Sequence, residues 1–247
     1  SAQFNWPYKV TNGKAVTEVP VRAAGQESAL NMTTPKLKVV RVAFVGLGMR
    51  GHDAVERWTH IPGIQVMALC DYERDRAERC QEYLRKASMP AADIYSGEDG
   101  YKELCKRKDI DLVYIAPDWK HHFLVAYEAM NNGKHVAVEV PAAMNLTEIW
   151  KLIDISEKKR LHCMMLENCC YDFFELNSLN MAQKDVFGEI LYVQGAYRHE
   201  LSKFWDAYWK KDAQDKLGWR LDYNQKFRGD VYATHGLGPI AQVLNIH

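Results

Sequence analysis

Three glycines, Gly46, Gly48 and Gly51, stand in the pattern G-x-G-x-x-G, and Asp71 follows 20 residues after Gly51. Each glycine has its own physical use in phosphate binding. The first permits a tight turn, the second lets the backbone approach a pyrophosphate, and the third lets a helix pack closely on a strand. A helix starting there offers N–H groups and the positive end of its dipole to the phosphates. A carboxylate at Asp71 suits a ribose diol and repels a 2′-phosphate, which favours NAD over NADP. The pattern gains its weight from context, because glycine-bearing loops are common and only a strand before and a helix after make one a nucleotide loop.

A second group of residues suits proton transfer. His235 carries an imidazole, a side-chain type used for proton transfer, and Tyr232 lies three residues before it, on the same face if the turn is helical. A lone histidine at a helix start is more often a cap or a core polar group, so spacing alone leaves both readings open. The six cysteines, Cys70, Cys80, Cys105, Cys163, Cys169 and Cys170, form no C-x-x-C pair. No metal site is expected from them. Cys70 and Cys163 fall in predicted strands and read as small buried hydrophobes rather than disulfide partners. This pattern leaves the compartment open.

The elements that must hold these residues alternate. Residues 39–45 read as a buried strand, 52–60 as a helix, 64–71 as a strand and 73–87 as a charged amphipathic helix. Further helices are predicted over 101–108, 123–130 and 147–159, with Thr147 as N-cap, and further strands over 112–116, 135–140 and 161–166. Such alternation implies a doubly wound parallel sheet covered on both faces, an α/β fold of Rossmann type. Ligands bind beyond the carboxyl ends of such strands. Residues 117–122, 139–141 and Glu167-Asn168 occupy those ends.

On either side the pattern changes. Residues 1–37 carry scattered prolines and glycines and read as an extended arm or linker. After Asn168 come a helix over 173–187, an alternating, exposed antiparallel strand over 190–199, a Trp- and Tyr-rich stretch over 204–223, and a helix from about His235 to Asn245. The expected organisation is an arm over 1–37, a dinucleotide-binding domain over 38–168, and over 169–247 the start of a substrate domain with too few strands to be complete.

Composition excludes other classes. Of 247 residues 47% are hydrophobic and 26% charged, ordinary for a globular chain. Lys+Arg and Asp+Glu balance at 32 each, so no basic excess points to nucleic acid. No apolar run approaches the roughly 20 residues of a membrane span. The opening Ser1-Ala2-Gln3 lacks a Met, as expected of a mature or a tagged chain whose leader has been removed.

From Val39 onward the sequence resembles the Gfo/Idh/MocA family of NAD(P)-dependent enzymes. The glycine loop, Ala116-Pro117 with His121-His122, Gly133-Lys134-His135-Val136 and Glu139-Val140-Pro141 carry the resemblance. That family implies a Rossmann domain followed by an α+β domain with an open, mostly antiparallel sheet. Two departures stand out. The family's Glu-Lys-Pro is here Glu139-Val140-Pro141, and its Asp-x-x-x-His appears as Val231 to His235. A sugar dehydrogenase would thus lack two proton-handling groups.

A narrower resemblance accommodates both departures. Gly218-Trp219-Arg220, Tyr223-Asn224 and the run from Phe227 to Pro239, including Tyr232-Ala233-Thr234-His235, are similar to family 109 glycosidases, NAD-dependent α-N-acetylgalactosaminidases. Ala233 departs from their usual proline. The implied chemistry is transient oxidation at C3 of the sugar, loss of the C2 proton, departure of the aglycone, addition of water and return of the hydride, with no net redox change; NAD-dependent families are a known exception to the two-carboxylate rule. The resemblance implies cofactor contacts at Gly46, Gly48, Met49, Arg50, Gly51, Asp71, Trp119, His121, His122, Glu139, Val140, Asn168 and Trp219. It implies substrate contacts at Tyr197, Arg220, Tyr232, Ala233, Thr234 and His235, with His235 first and Tyr232 second as proton-handling groups. The implied partner is a small glycoside, with room for a homo-oligomer in a full-length protein. A sugar-cleaving activity and the missing Met together lean towards a periplasmic or exported protein. A sugar oxidoreductase with net hydride transfer, and a non-catalytic relative of the fold, are the alternatives. Each assigned residue also has a plainer reading: Arg220 beside Trp219 as a surface stacking pair, Glu139 as a turn carboxylate, and the aromatic stretch as a subunit interface.

Overall fold

The structure, a computed structural model, describes residues 8–17, 19–204, 218–227 and 232–246. The chain divides into two compact units, one ending at Leu166 and the other beginning at Glu167.

The first unit is built on a six-stranded sheet. Its strands are β3 (Val40–Val45), β4 (Ile64–Asp71), β5 (Asp93–Ser96), β6 (Leu112–Ile115), β7 (His135–Val138) and β8 (Cys163–Met165). They lie in the order β5-β4-β3-β6-β7-β8, all parallel. The order reverses at β3, which places a crevice beyond the carboxyl ends of β3 and β6. The helices between them are α1 (Met49–Trp58), α2 (Arg74–Lys86), α3 (Gly100–Lys106), α4 (Trp119–Asn131) and α5 (Leu146–Lys159).

Strand β3 shows why the sheet is covered on both faces. Val42 and Phe44 pack with Ala54 and Val55 of α1 and Ala77, Cys80 and Leu84 of α2. Ala43 and Val45 face the other way, onto Leu104 of α3, Ala126 and Met130 of α4 and Leu152 of α5. A strand buried on both sides reads as an unbroken apolar run, as Val42 to Val45 do.

Several local expectations shift. Strand β5 was not expected: only four residues long, it is an edge strand defined by pairing with β4. Helix α5 is capped by Asn145, whose side chain accepts from the Glu148 N–H, so Thr147 is not the N-cap. Helix α4 begins at Trp119 because the Asp118 carboxylate accepts from the His121 N–H. The arm is not wholly extended: β1 (Tyr8–Thr11) and β2 (Lys14–Thr17) form an antiparallel hairpin. Its turn is Asn12-Gly13, both with positive φ (52° and 75°), as a two-residue hairpin turn requires. Further along, Arg22 and Gln26 both donate to the buried Glu157 of α5, Arg22 Nη2 at 2.8 Å and Gln26 Nε2 at 2.8 Å. The arm is therefore fastened to the nucleotide-type unit.

The second unit holds a 3₁₀ turn (Asn168–Tyr171), α6 (Phe173–Gln183), a 3₁₀ turn (Ser202–Phe204), α7 (Trp219–Lys226) and α8 (Ala233–Val243). The strand expected over 190–199 is not formed, and the described residues of this unit make no sheet. An extended segment needs a neighbouring strand to take up its backbone groups, and instead this one lies against a helix. A Cβ on Gly195 would come within 2.5 Å of the Gly236 carbonyl oxygen in α8. Residues 205–217 of the aromatic stretch and Val231 lie outside the described residues.

Candidate active site

Each unit carries its own cluster of the residues singled out from sequence. In the first unit the cluster surrounds the glycine loop between β3 and α1. Gly46 has φ +86°, and a Cβ there would lie 2.2 Å from the Pro117 nitrogen. A Cβ on Gly51 would lie 1.8 Å from the Gly46 carbonyl oxygen. These two glycines let the loop fold tightly against the β6–α4 connection. Gly48 differs: the nearest atom to its would-be Cβ is the tip of Arg76, at 4.0 Å. It is also the N-cap of α1 and offers no side chain to the first turn's N–H groups. Tight packing at Gly46 and Gly51, with open space at Gly48, is the cradle a pyrophosphate needs.

Asp71 ends β4 and is buried. Its Oδ2 accepts from the Leu47 N–H at 2.6 Å and its Oδ1 from the Glu73 N–H at 3.0 Å. The carboxylate braces the glycine loop while keeping lone pairs for a ribose diol, since each oxygen can accept more than once.

Glu139, just beyond β7, is a hub. Its Oε1 accepts from the Tyr114 hydroxyl at 2.6 Å and from Arg50 Nε at 3.0 Å. Burial, reinforced by the Glu139 charge, pushes the Tyr114 hydroxyl far above its ordinary range, so it stays a donor. Arg50 is thereby drawn from the first turn of α1 towards the end of β7. Val140 is buried beside Glu139 and precedes a cis peptide bond to Pro141.

Among the aromatic and imidazole groups of α4, Trp119 and His122 are buried and His121 is partly exposed. His122 Nδ1 lies 2.7 Å from the Pro141 carbonyl oxygen, so it donates there and ties α4 to the turn after β7. Burial holds its pKa below the ordinary value. His121 lies 2.5 Å from Asp118, and that hydrogen bond raises its pKa. Met49 is exposed at the loop.

In the second unit α8 carries the other cluster. His235 is buried, and its ring centroid lies 4.3 Å from that of Tyr197 and 5.2 Å from that of Tyr232, the latter nearly parallel at 11°. Arg220, from the first turn of α7, hydrogen-bonds the Tyr232 hydroxyl and stacks over Trp219, 4.6 Å from the ring centroid. Residues 38 positions apart in sequence, Tyr197 and His235, thus share one aromatic cluster with Tyr232, Arg220 and Trp219. Trp219 stands with the substrate-type residues of this unit. Ala233 is exposed and Thr234 partly buried in the first turn of α8. Asn168 opens the 3₁₀ turn and is exposed.

One further residue belongs here. Glu167 is buried, and its Oε1 lies 2.5 Å from His235 Nδ1. Sequence reasoning placed Glu167 only at a strand end, because nothing in the spacing links it to a residue 68 positions away. With Cys169 these two form a group whose donor atoms all lie within 4.8 Å of one another. That grouping is made by folding and is invisible to C-x-x-C reasoning.

Residues 40–167 match the Gfo/Idh/MocA oxidoreductase family, NAD-binding Rossmann fold, and residues 171–247 match the C-terminal domain of glycosyl hydrolase 109. Glycosyl hydrolase family 109 protein 5 of Phocaeicola vulgatus is 69% identical over 235 residues, covering 95% of this chain and 45% of that protein. Glycosyl hydrolase family 109 protein 1 of Bacteroides thetaiotaomicron is 62% identical over 231 residues, covering 93% of this chain and 48% of that one. The chain therefore spans about half the length of the relatives it matches. Among solved structures, myo-inositol 2-dehydrogenase from Lactobacillus plantarum superposes with a TM-score of 0.54 at 21% identity, over 63% of this chain and 44% of that one. Myo-inositol dehydrogenase from Lactobacillus casei, in complex with NAD(H) and myo-inositol, gives 0.53 at 22% identity, over 61% and 43%. These likenesses show the Rossmann-type fold.

Proposed function

The chain belongs to the Gfo/Idh/MocA family, with an NAD-binding Rossmann domain and a glycosyl hydrolase 109 C-terminal domain, and from that premise we propose that it is the catalytic part of an NAD-dependent glycosidase acting on α-N-acetylgalactosaminides. The observation that carries the reading is the cluster of His235, Tyr232, Tyr197 and Arg220 in a chain where Val140 replaces a proton-carrying lysine. A dehydrogenase would want the lysine, whereas the candidate proton-handling groups here are His235 on α8 and Tyr232 at its N-cap.

Bound NAD supplies a reversible hydride acceptor, so that hydride lost from C3 of the sugar is kept and later returned. Everything else falls to the chain. Gly48 and the first turn of α1 would hold the pyrophosphate, and Asp71 would take the ribose diol. Arg220 and Tyr197 hold the sugar, with the aromatic faces packing on its C–H surface. His235 takes the proton released as C3 is oxidised or as C2 is deprotonated, and Tyr232 handles the other. Once C3 is a ketone the C2 proton is acidified. Its removal leaves an electron pair that forms the C1–C2 double bond and expels the aglycone. A proton taken up by the side chains leaves with the aglycone, water adds across the double bond as the second substrate, and return of the hydride that bound NAD would hold restores the C3 alcohol, so atoms and electrons balance.

The test uses the protein loaded with NAD and an aryl α-N-acetylgalactosaminide. Chromophore release with no net NADH at 340 nm supports the glycosidase. Accumulating NADH on the free sugar, without chromophore release, moves the chain to a net oxidoreductase and overturns the proposal.

A further inference from the structure

Helix α8 is brought to the 3₁₀ turn at Asn168–Tyr171 by an unusually close approach. A Cβ on Gly238 would lie 2.8 Å from Cys170 Sγ and 3.1 Å from Glu167 Cγ. On another side of the same helix Gly236 and Gly195 meet backbone to backbone. Two glycines on α8 thus have the space of a side chain occupied by a neighbour. The result of that approach is the contact between Glu167 and His235.

Both side chains of the pair are only 6% exposed. Glu167 Oε1 also accepts from the Cys169 N–H at 3.1 Å, which pins the carboxylate from below. Its Oε2 is buried and has no hydrogen-bond partner among the described residues. A buried carboxylate oxygen without a partner costs stability, and the contact it accompanies is the one to His235. A carboxylate offers only lone pairs, so the proton between them sits on His235 Nδ1. Nε2 then has a lone pair, and it makes no hydrogen bond among the described residues. The imidazole is also clamped by the Tyr197 and Tyr232 rings.

We infer that Glu167 is a positioning residue: it fixes the Nδ1–H tautomer of His235 and so keeps Nε2 as the nitrogen that receives the substrate proton. The step is simple in its balance. A substrate C–H or O–H proton passes to Nε2, the bonding pair stays on the substrate, and the imidazolium formed is held against the Glu167 charge. Cys169, beside the pair, takes no part. The inference rests on the glycosidase reading for the identity of the proton donor, but not for the tautomer.

The experiment is ¹⁵N NMR of histidine-labelled protein, loaded with NAD and kept in EDTA so that no metal ion bridges Glu167, Cys169 and His235. It is paired with chromogenic kinetics on wild type, E167L, E167Q and H235N; H235N assigns the resonances. Wild type is expected to show His235 protonated at Nδ1. E167L offers Nδ1 no acceptor, so the proton moves to Nε2 and kcat falls roughly a hundredfold or more with KM within about threefold. E167Q keeps an oxygen that can accept from both the Cys169 N–H and Nδ1–H, and so retains the Nδ1–H tautomer. An unchanged tautomer in E167L, or wild-type kcat in that variant, overturns the inference. If the tautomer moves in E167L but wild type itself releases no chromophore, Glu167 still positions His235, and the substrate assignment is what has failed.

Discussion

Arg50, at the start of the glycine-loop helix, donates to Glu139, at the end of β7, across 3.0 Å. The contact joins the β3–β4 crossover to the end of β7 across the intervening β6, and the Tyr114 hydroxyl of β6 braces it at 2.6 Å. Replacing Glu139 by Ala leaves the Tyr114 hydroxyl buried and unpartnered, at a cost of about 1–3 kcal/mol. Chemical denaturation of E139A should show that loss, while Y114F, which removes the donor together with its need for a partner, should cost less. Equal losses in the two variants would mean the hydroxyl is not what Glu139 satisfies.

The two kinds of glycine in the loop should separate in their effects. Gly51→Ala sets a methyl 1.8 Å from a backbone oxygen that cannot swing away. Its destabilisation should reach or exceed the upper end of about 1–3 kcal/mol typical of overpacking. Gly48→Ala meets no such obstacle, so its melting temperature should stay near wild type while NAD affinity drops about tenfold, a change of roughly 1.4 kcal/mol. Calorimetric titration with NAD on both variants distinguishes loop architecture from phosphate contact.

Much of this was readable before folding. The run over 40–45, the glycine spacing and Asp71 define the βαβ unit because each depends on local chemistry alone. The Asn12-Gly13 turn was readable too, since positive φ at both positions favours this pair, but the surrounding prolines drew attention to an extended arm. Strand β5 was not readable: four residues at a sheet edge carry little period, and pairing with β4 makes them a strand. Residues 190–199 alternate like a strand, yet they lie against α8, a choice set by the close approach of Gly195 and Gly236. Glu167 was the harder case, because its partner is fixed by tertiary packing.

Asp71 does two jobs, and they should come apart on mutation. Its carboxylate accepts from the Leu47 and Glu73 N–H groups, and its charge opposes a 2′-phosphate. Asp71→Asn keeps an acceptor for the loop and removes the charge. One of the two N–H groups loses its acceptor, so stability should fall by about 1–3 kcal/mol, while the preference for NAD over NADP should narrow about tenfold, corresponding to roughly 1.4 kcal/mol. Paired affinity measurements for the two nucleotides read this directly; an unaltered ratio would remove Asp71 from cofactor choice.

His122 should make the first unit acid-sensitive. Burial holds its folded pKa below the unfolded value of 6.5. As pH falls through 6.5 the unfolded chain takes up the proton first, so stability declines, by up to about 1.4 kcal/mol per pH unit, and levels off below the folded pKa. His121 acts in the opposite sense. Its raised pKa gives stability that is present below 6.5 and lost as pH climbs through the folded value. His122→Asn keeps a donor for the Pro141 carbonyl and cannot titrate. Urea midpoints at pH 7 and pH 5 should fall less for H122N than for wild type, and parallel declines would sink the assignment.

The cysteines carry a practical consequence. Burial pushes the thiols of Cys70 and Cys105 up to about 12 and those of Cys80, Cys163 and Cys169 up to about 11, and raises that of Cys170 as well. Only the thiolate alkylates or exchanges. The six free sulfhydryls should therefore label slowly with iodoacetamide at neutral pH while the chain is folded, and rapid labelling would report unfolding.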